Sequence, residues 1–246
     1  MAITLHQFEF SHFNEKARWA LDYKGIPHNR TSYLPGPHIP TIKRLSAQTQ
    51  TPVLQSDSEY LAGSADIIAH LEGLKPEPGL YPSEGSDRDH ALALQTDMDQ
   101  SLGPAVRTVI FSGLIAEPDY LVNMFGRSKS PIKRKLYRAT FPIAKPLIAQ
   151  GNGVDNQANI DRCFNEVRAW LDRLDTERAG RDYLVGDGFS VADLTASALL
   201  APIANVSHAD MQRPQPIPTR VQAIIEEFAQ HPTIEWVQGI YKKHRN

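Results

Sequence analysis

Along the first quarter of the chain, apolar residues alternate, then recur at helical spacing, then alternate again. Ile3, Leu5, Phe8 and Phe10 mark a strand region. Ala17, Ala20 and Leu21 follow at helical spacing, with Phe13 at the entry and Gly25 where a C′ glycine ends a helix. His28 to Tyr33 reads as a second strand after the Gly25-Ile26-Pro27 turn. Pro35, Pro37 and Pro40 make a loop, and Thr41 to Leu45 a short helix. Val53-Leu54-Gln55 and Tyr60-Leu61 flank the turn Ser56-Asp57-Ser58 and read as a hairpin. Ser64 then precedes a helix with Ile67, Ile68 and Leu71 on one face. The order β-α-β-α-β-β-α predicts a mixed four-stranded sheet with helices on both faces.

Beyond about residue 80 the pattern turns almost wholly helical. The Pro- and Gly-rich stretch Gly73 to Gly79 reads as a connection. The expected division is therefore an α+β domain over 1–73, a linker over 74–84 and an all-α bundle over 85–246. Asp87 to Leu102 and Ala105 to Ile115 read as one long helix kinked at Gly103-Pro104. Ile132 to Leu147, Ile160 to Leu174, Val191 to Leu200, Val221 to Phe228 and Ile234 to Tyr241 supply the others. The third of these helices, from Val191, begins at a capping box. Ser190 is its N-cap, Asp193 lies three residues on, and Phe189 and Leu194 form a staple. No internal repeat is visible.

Composition narrows the function classes. A chain that is 41% hydrophobic and 22% charged supports a packed core. A net charge of -2 and a pI near 6.5 argue against nucleic acid or membrane as the main partner. The single Cys163 leaves no intramolecular disulfide or cysteine zinc site, and fits a reducing cytosol. Glu9, Glu15 and Lys16 interrupt the N-terminal region, so no signal peptide is expected and the location is taken as cytoplasmic. The apolar run Leu194 to Val206 contains Pro202 and reads as a buried helix. The nine histidines show no metal-ligand spacing, so no metal is expected. No P-loop or Gly-x-Ser-x-Gly elbow occurs, and Gly186-Asp187-Gly188 lacks the third glycine of a dinucleotide loop. The basic run from Arg127 to Lys135 reads as a solvated helix face.

Candidate chemistry concentrates at Ser11. A strand feeding straight into a helix leaves free N–H groups and partial positive charge at the helix start. Such a spot stabilises an anion, a thiolate included. The alternative role for Ser11 is that of a helix cap, and the two roles are partly compatible.

Four segments carry a resemblance to the glutathione transferase superfamily. They are Ser11 to Leu21, Thr51-Pro52-Val53-Leu54, Gly63 to Ile68, and Leu184 to Asp193. In order, they resemble the family's first βα segment, its cis-proline turn, its Glu/Gln-Ser motif and the capping box of its helical domain. The resemblance implies a thioredoxin-like N-terminal domain, an all-helical C-terminal domain and a homodimer. It further implies glutathione as co-substrate and a small hydrophobic electrophile as second substrate. Ser11 then takes the place of the hydroxyl beside the glutathione sulfur.

Asn14 stands where a Cys-x-x-Cys motif has its second cysteine, which points away from disulfide exchange. Phe8 and Phe10 carry no hydroxyl of the tyrosine classes. By the same resemblance, Pro52 shapes the turn, Val53 supplies backbone bonds to the cysteinyl unit, and Ser64 binds the γ-glutamyl carboxylate. Two departures stand out: Gly63 replaces an acidic or amide residue, and Gln50 replaces a lysine that reaches the glycyl carboxylate. Asp66 can compensate for the first by taking the γ-glutamyl ammonium. Lys43 and His38, substitutes for the second, read as solvated loop residues. His12 reads as solvent-facing and Phe13 as packed under the helix. Leu102, Val106, Ile110 and Tyr137 are the expected electrophile pocket. A non-catalytic glutathione-binding or regulatory protein with the same fold and a glutathione-dependent peroxidase are the alternative readings.

Overall fold

The structure is a computed structural model that describes residues 2–83 and 85–245. Strand β1 (Ile3–Gln7) organises the first domain. It runs parallel to β2 (Asn29–Ser32) on one side and antiparallel to β3 (Val53–Ser56) on the other. β3 pairs antiparallel with β4 (Glu59–Ala62), giving the sheet order β2-β1-β3-β4. Ile3, Leu5 and Leu54 are buried beside Trp19, Leu21, Ile67 and Ile68, contributed by helices α1 (His12–Tyr23) and α3 (Ser64–Leu74). Helix α2 (Ile39–Ser46) starts two residues earlier than expected, with Pro40 in its first turn, where the missing N–H costs nothing. β1 ends at Gln7, so Phe8 and Phe10 leave the sheet rather than extend it.

The second domain is helical. α4 (Ser86–Asp97) passes through a π-helical turn, Met98–Leu102, into α5 (Gly103–Leu114) with helical backbone angles at each junction. The expected kink is thus a widened turn ahead of Pro104, which supplies no donor to the ladder. α6 (Pro118–Phe125) has no counterpart in the sequence reading; it buries Leu121, Met124 and Phe125 and opens on Pro118. α7 (Pro131–Gly151) runs beyond Ile132–Leu147 and carries Pro142 and Pro146 inside it. α8 (Gln157–Arg178), α9 (Val191–Ala204), α10 (Thr219–Phe228) and α11 (Pro232–His244) complete the bundle. Every residue of α9 is buried, so it is the central helix. Its capping box forms: Asp193 accepts from the Ser190 N–H at 2.9 Å and the Leu184 N–H at 2.8 Å. Among the described residues no helix is long and apolar enough to cross a membrane.

The two domains share one core. Trp19 of α1 is fully buried, with its ring centroid 4.6 Å from that of Tyr241 on α11. Its Nε1 donates to the His244 carbonyl at 3.1 Å. Beside it lies a buried ionic cluster. Glu15 accepts from Arg18 and from Arg245, each at 2.8 Å, and Arg245 also donates to Asp22 and Asp210 at 2.7 Å. The connection after α3 is held as well. Lys24 is fully buried and donates to the carbonyls of Lys75 at 2.8 Å and Pro78 at 3.0 Å.

Candidate active site

β1 delivers the chain to Ser11, the N-cap of α1, in extended geometry with φ -158° and ψ 127°. The Ser11 hydroxyl oxygen accepts from the Asn14 N–H at 3.5 Å, a long bond that leaves the hydroxyl proton free. Ser11 faces a cleft of about 620 Å³ between the two domains. One wall is polar and comes from the first domain: Gln50, Thr51, Pro52, Ser64 and Asp66 line it. The opposite wall is largely apolar and comes from the bundle, with Ile110, Phe111, Leu114, Phe125 and Leu147.

The Thr51–Pro52 peptide is cis. Val53 does not line the cleft, which corrects the role expected of it. It is fully buried and paired in the sheet with His6 and Ala62, so its backbone is committed to strand pairing. The cleft-facing residue is Thr51, on the other side of the proline. Its hydroxyl accepts from Asn14 Nδ2 at 3.1 Å. Asn14 therefore braces the cis-proline loop against the start of α1.

Ser64 is buried and is the first residue of α3, whose N-cap is Gly63. Among the described residues no side chain caps this helix, so its leading N–H groups remain available at the cleft. Gly63 has φ +96°, which strains any side chain. A Cβ built there would lie 3.9 Å from the Asp66 carboxylate. The carboxylate of Asp66 thus stands beside the space that a side chain on residue 63 would enter. Asp66 itself is exposed on the cleft rim, as is Gln50.

Several neighbours differ from expectation. His12 is buried, not solvent-facing, and its Nε2 donates to the Gly103 carbonyl at 2.9 Å. Burial, followed by the charge of Arg107, pushes its pKa down to about 3, so the ring is neutral. His38 is also buried rather than solvated: Nδ1 accepts from the Gly36 N–H and Nε2 donates to the Thr49 carbonyl. Burial lowers its pKa too. Lys43 is exposed and does not reach the cleft. Phe8, Phe10 and Phe13 all line the cleft, so Phe13 is not simply packed beneath its helix. Of the expected pocket residues only Ile110 faces the cleft. Leu102 and Val106 are fully buried core, and Tyr137 is buried with its hydroxyl donating to the Pro35 carbonyl at 2.8 Å.

Arg107 and Asp99 were not foreseen, and both line the cleft. Lys16, fully buried, donates to Asp99 at 2.6 Å. The only sequence signal for Arg107 is its charge amid Val106, Val109, Ile110 and Phe111. In the basic run, Lys129 donates to the Ser32 carbonyl at 2.5 Å and Arg127 to the Ala209 carbonyl at 3.0 Å, while Lys133 and Lys135 are exposed. Elsewhere, donor atoms of Glu15, His208 and Asp210 lie within 4.8 Å of one another. Arg18 and Arg245 already bond those carboxylates, and their charges oppose a metal ion there.

Comparison with known proteins adds the remaining information. Residues 5–79 match the family model "Glutathione S-transferase, N-terminal domain", and residues 132–216 match "Glutathione S-transferase, C-terminal domain". The chain belongs to the glutathione S-transferase superfamily. A glutathione S-transferase from Pseudomonas putida is 22% identical over 137 residues, covering 56% of this chain and 57% of that protein. The match therefore spans little more than half the length of that relative. Among solved structures, a glutathione S-transferase from Methylobacillus flagellatus with glutathione bound superposes with a TM-score of 0.65 at 18% identity, covering 98% of this chain and 95% of that one. The β-etherase LigF from Sphingobium sp. strain SYK-6 superposes with a TM-score of 0.61 at 18% identity, covering 99% and 100%. At this identity the superpositions establish the fold alone.

Proposed function

We propose that the protein is a glutathione transferase that stabilises the glutathione thiolate for attack on an electrophile held against the helical domain. The observation that carries this reading is Ser11, with an uncommitted hydroxyl proton at the N-terminus of α1, facing the cleft. A free thiol has a pKa of about 8.5 and is mostly protonated at neutral pH. A hydroxyl donor and a helix N-terminus both favour its ionised, attacking form. The hydrogen bond from Asn14 uses the serine as acceptor, so capping and thiolate stabilisation coexist.

The polar wall fits the rest of glutathione. Ser64 and the uncapped start of α3 receive the γ-glutamyl carboxylate, and Asp66 receives the neighbouring ammonium. Thr51 presents its backbone to the cysteinyl unit, and Gln50 offers a neutral contact to the glycyl carboxylate. The apolar wall of α5, α6 and α7 excludes water and holds the electrophile. The glutathione bound to the Methylobacillus protein supports the choice of co-substrate. A cytoplasmic homodimer, as in the family, completes the proposal.

A calorimetric titration with glutathione, paired with conjugation to 1-chloro-2,4-dinitrobenzene, tests the reading. Saturable binding with turnover is expected. No binding at millimolar glutathione would overturn it. Binding without turnover, unchanged in Ser11→Ala, would replace it with a non-catalytic module.

A further inference from the structure

Two charged side chains line the cleft without a counter-ion among the described residues, and they lie on different walls. Asp66 belongs to α3 and the polar wall; Arg107 belongs to α5 and the apolar wall. The other cleft charge, Asp99, is engaged by Lys16 at 2.6 Å. The two cleft histidines, His12 and His38, are neutral through their bonds and burial.

Arg107 has no such compensation. Its Nε is buried with no hydrogen-bond partner among the described residues, and burial acts on its basicity, lowering it. A guanidinium stays charged under these conditions and presents a planar fork of donors. Its position is set by the helix. Gly103, one turn earlier on α5, receives the His12 bond, so Arg107 lies one turn above the meeting of α5 with the entry to α1. Ile110, Phe111 and Leu114 continue the same wall, and Phe13 faces it.

We propose that Arg107 is the docking cation for the second substrate, and that this substrate is an aromatic acid. This rests on the transferase reading above. Glutathione's γ-glutamyl carboxylate is assigned to Ser64, and its glycyl carboxylate to the loop at Gln50, both across the cleft. The anion that answers Arg107 therefore comes from the electrophile. Its carboxylate forms a forked, charge-assisted pair with the guanidinium while the ring packs among Phe13, Phe111 and Ile110. The pairing holds the electrophilic carbon beside the sulfur at Ser11.

The test compares 4-chloro-3-nitrobenzoate with its primary amide, each rate divided by the uncatalysed rate with glutathione. The wild type should favour the acid by about ten- to a hundred-fold, and Arg107→Leu should erase that preference, with Arg107→Lys keeping part of it. Calorimetric titration of 3-nitrobenzoate against 3-nitrobenzamide, without glutathione, reads the same site apart from turnover. If the acid binds more tightly and Arg107→Leu removes the difference, while neither chloronitro compound nor 1-chloro-2,4-dinitrobenzene turns over with glutathione, the anion site stands and the transferase reading fails. If the wild type does not distinguish acid from amide, or if Arg107→Leu weakens both alike, the proposal is overturned. Should Arg107→Leu fail to fold, Arg107→Gln, with donors but no charge, answers the same question.

Discussion

Ser11 accepts one hydrogen bond and is free to give another, and the two directions can be separated by mutation. The accepted bond is 3.5 Å long and contributes little to the helix. The donated bond, made to a charged sulfur, is worth about 1.5–3 kcal/mol. Ser11→Ala should therefore leave the unfolding midpoint nearly unchanged and lower kcat/KM for conjugation by about ten- to a hundred-fold. The ultraviolet absorbance of bound thiolate should appear at higher pH than in the wild type. Equal activity in the variant would assign thiolate stabilisation to the helix N-terminus alone.

His12 carries a separate pH signature. It stays neutral in the fold down to about pH 3 but takes a proton near 6.5 once unfolded. Between those values the unfolded state holds the extra proton, so stability is lost as pH falls from 6.5 towards 3. The slope due to this group is at most about 1.4 kcal/mol per pH unit. Urea denaturation across that window should show His12→Gln flattening the slope by up to that amount, because Gln can still donate to Gly103. Parallel slopes would rule out the buried neutral ring.

At the scale of elements, the cleft depends on how closely α5 approaches α1. A Cβ on Gly103 would lie 2.4 Å from the Phe13 ring and 3.2 Å from Leu199. Gly103→Ala should cost about 1–3 kcal/mol by overpacking. It should also raise KM for the electrophile, because Phe13 must move and Phe13 lines the cleft. A stability loss with KM unchanged would detach Phe13 from substrate binding.

This contact was invisible in the sequence, whereas the strands, most of the long helices and the capping box were legible. Alternation and 3.6-residue spacing report a residue's own element, and Ser190 with Asp193 is a local signal. Arg107 and His12 acquire meaning only when α5 packs on α1. Val53 and Thr51 both flank Pro52, and only the pairing of β3 with β1 and β4 tells them apart. α6 escaped because it is short and its apolar run differs little from a buried loop.

At the scale of the molecule, the domains are joined by a buried ionic cluster as well as by Trp19. Glu15, Asp22 and Asp210 all bond Arg245, whose side chain is almost fully buried. Removing one partner from such a cluster strands the others in a dry site. Arg245→Met should cost about 3–5 kcal/mol, and the loss should persist at high salt because screening acts weakly on buried pairs. A loss below 1 kcal/mol in chemical denaturation, or one erased by salt, would show that the cluster is effectively solvated.

The grip of Lys24 on the carbonyls after α3 has a consequence for how this molecule comes apart. Glu72 accepts from the Leu80 N–H at 2.9 Å, and the Leu80 carbonyl accepts from the Val191 N–H at 2.7 Å. The connecting strap is thus stapled to both halves along its length, and the peptide bond between them is only one attachment among several. Halves produced as separate polypeptides, one ending at Pro82 and the other starting at Ser83, should reassemble into a particle that elutes as a single species. That outcome would make the protein a complementation pair whose two pieces happen to be translated together, and halves that stay apart would show that the covalent connection is required.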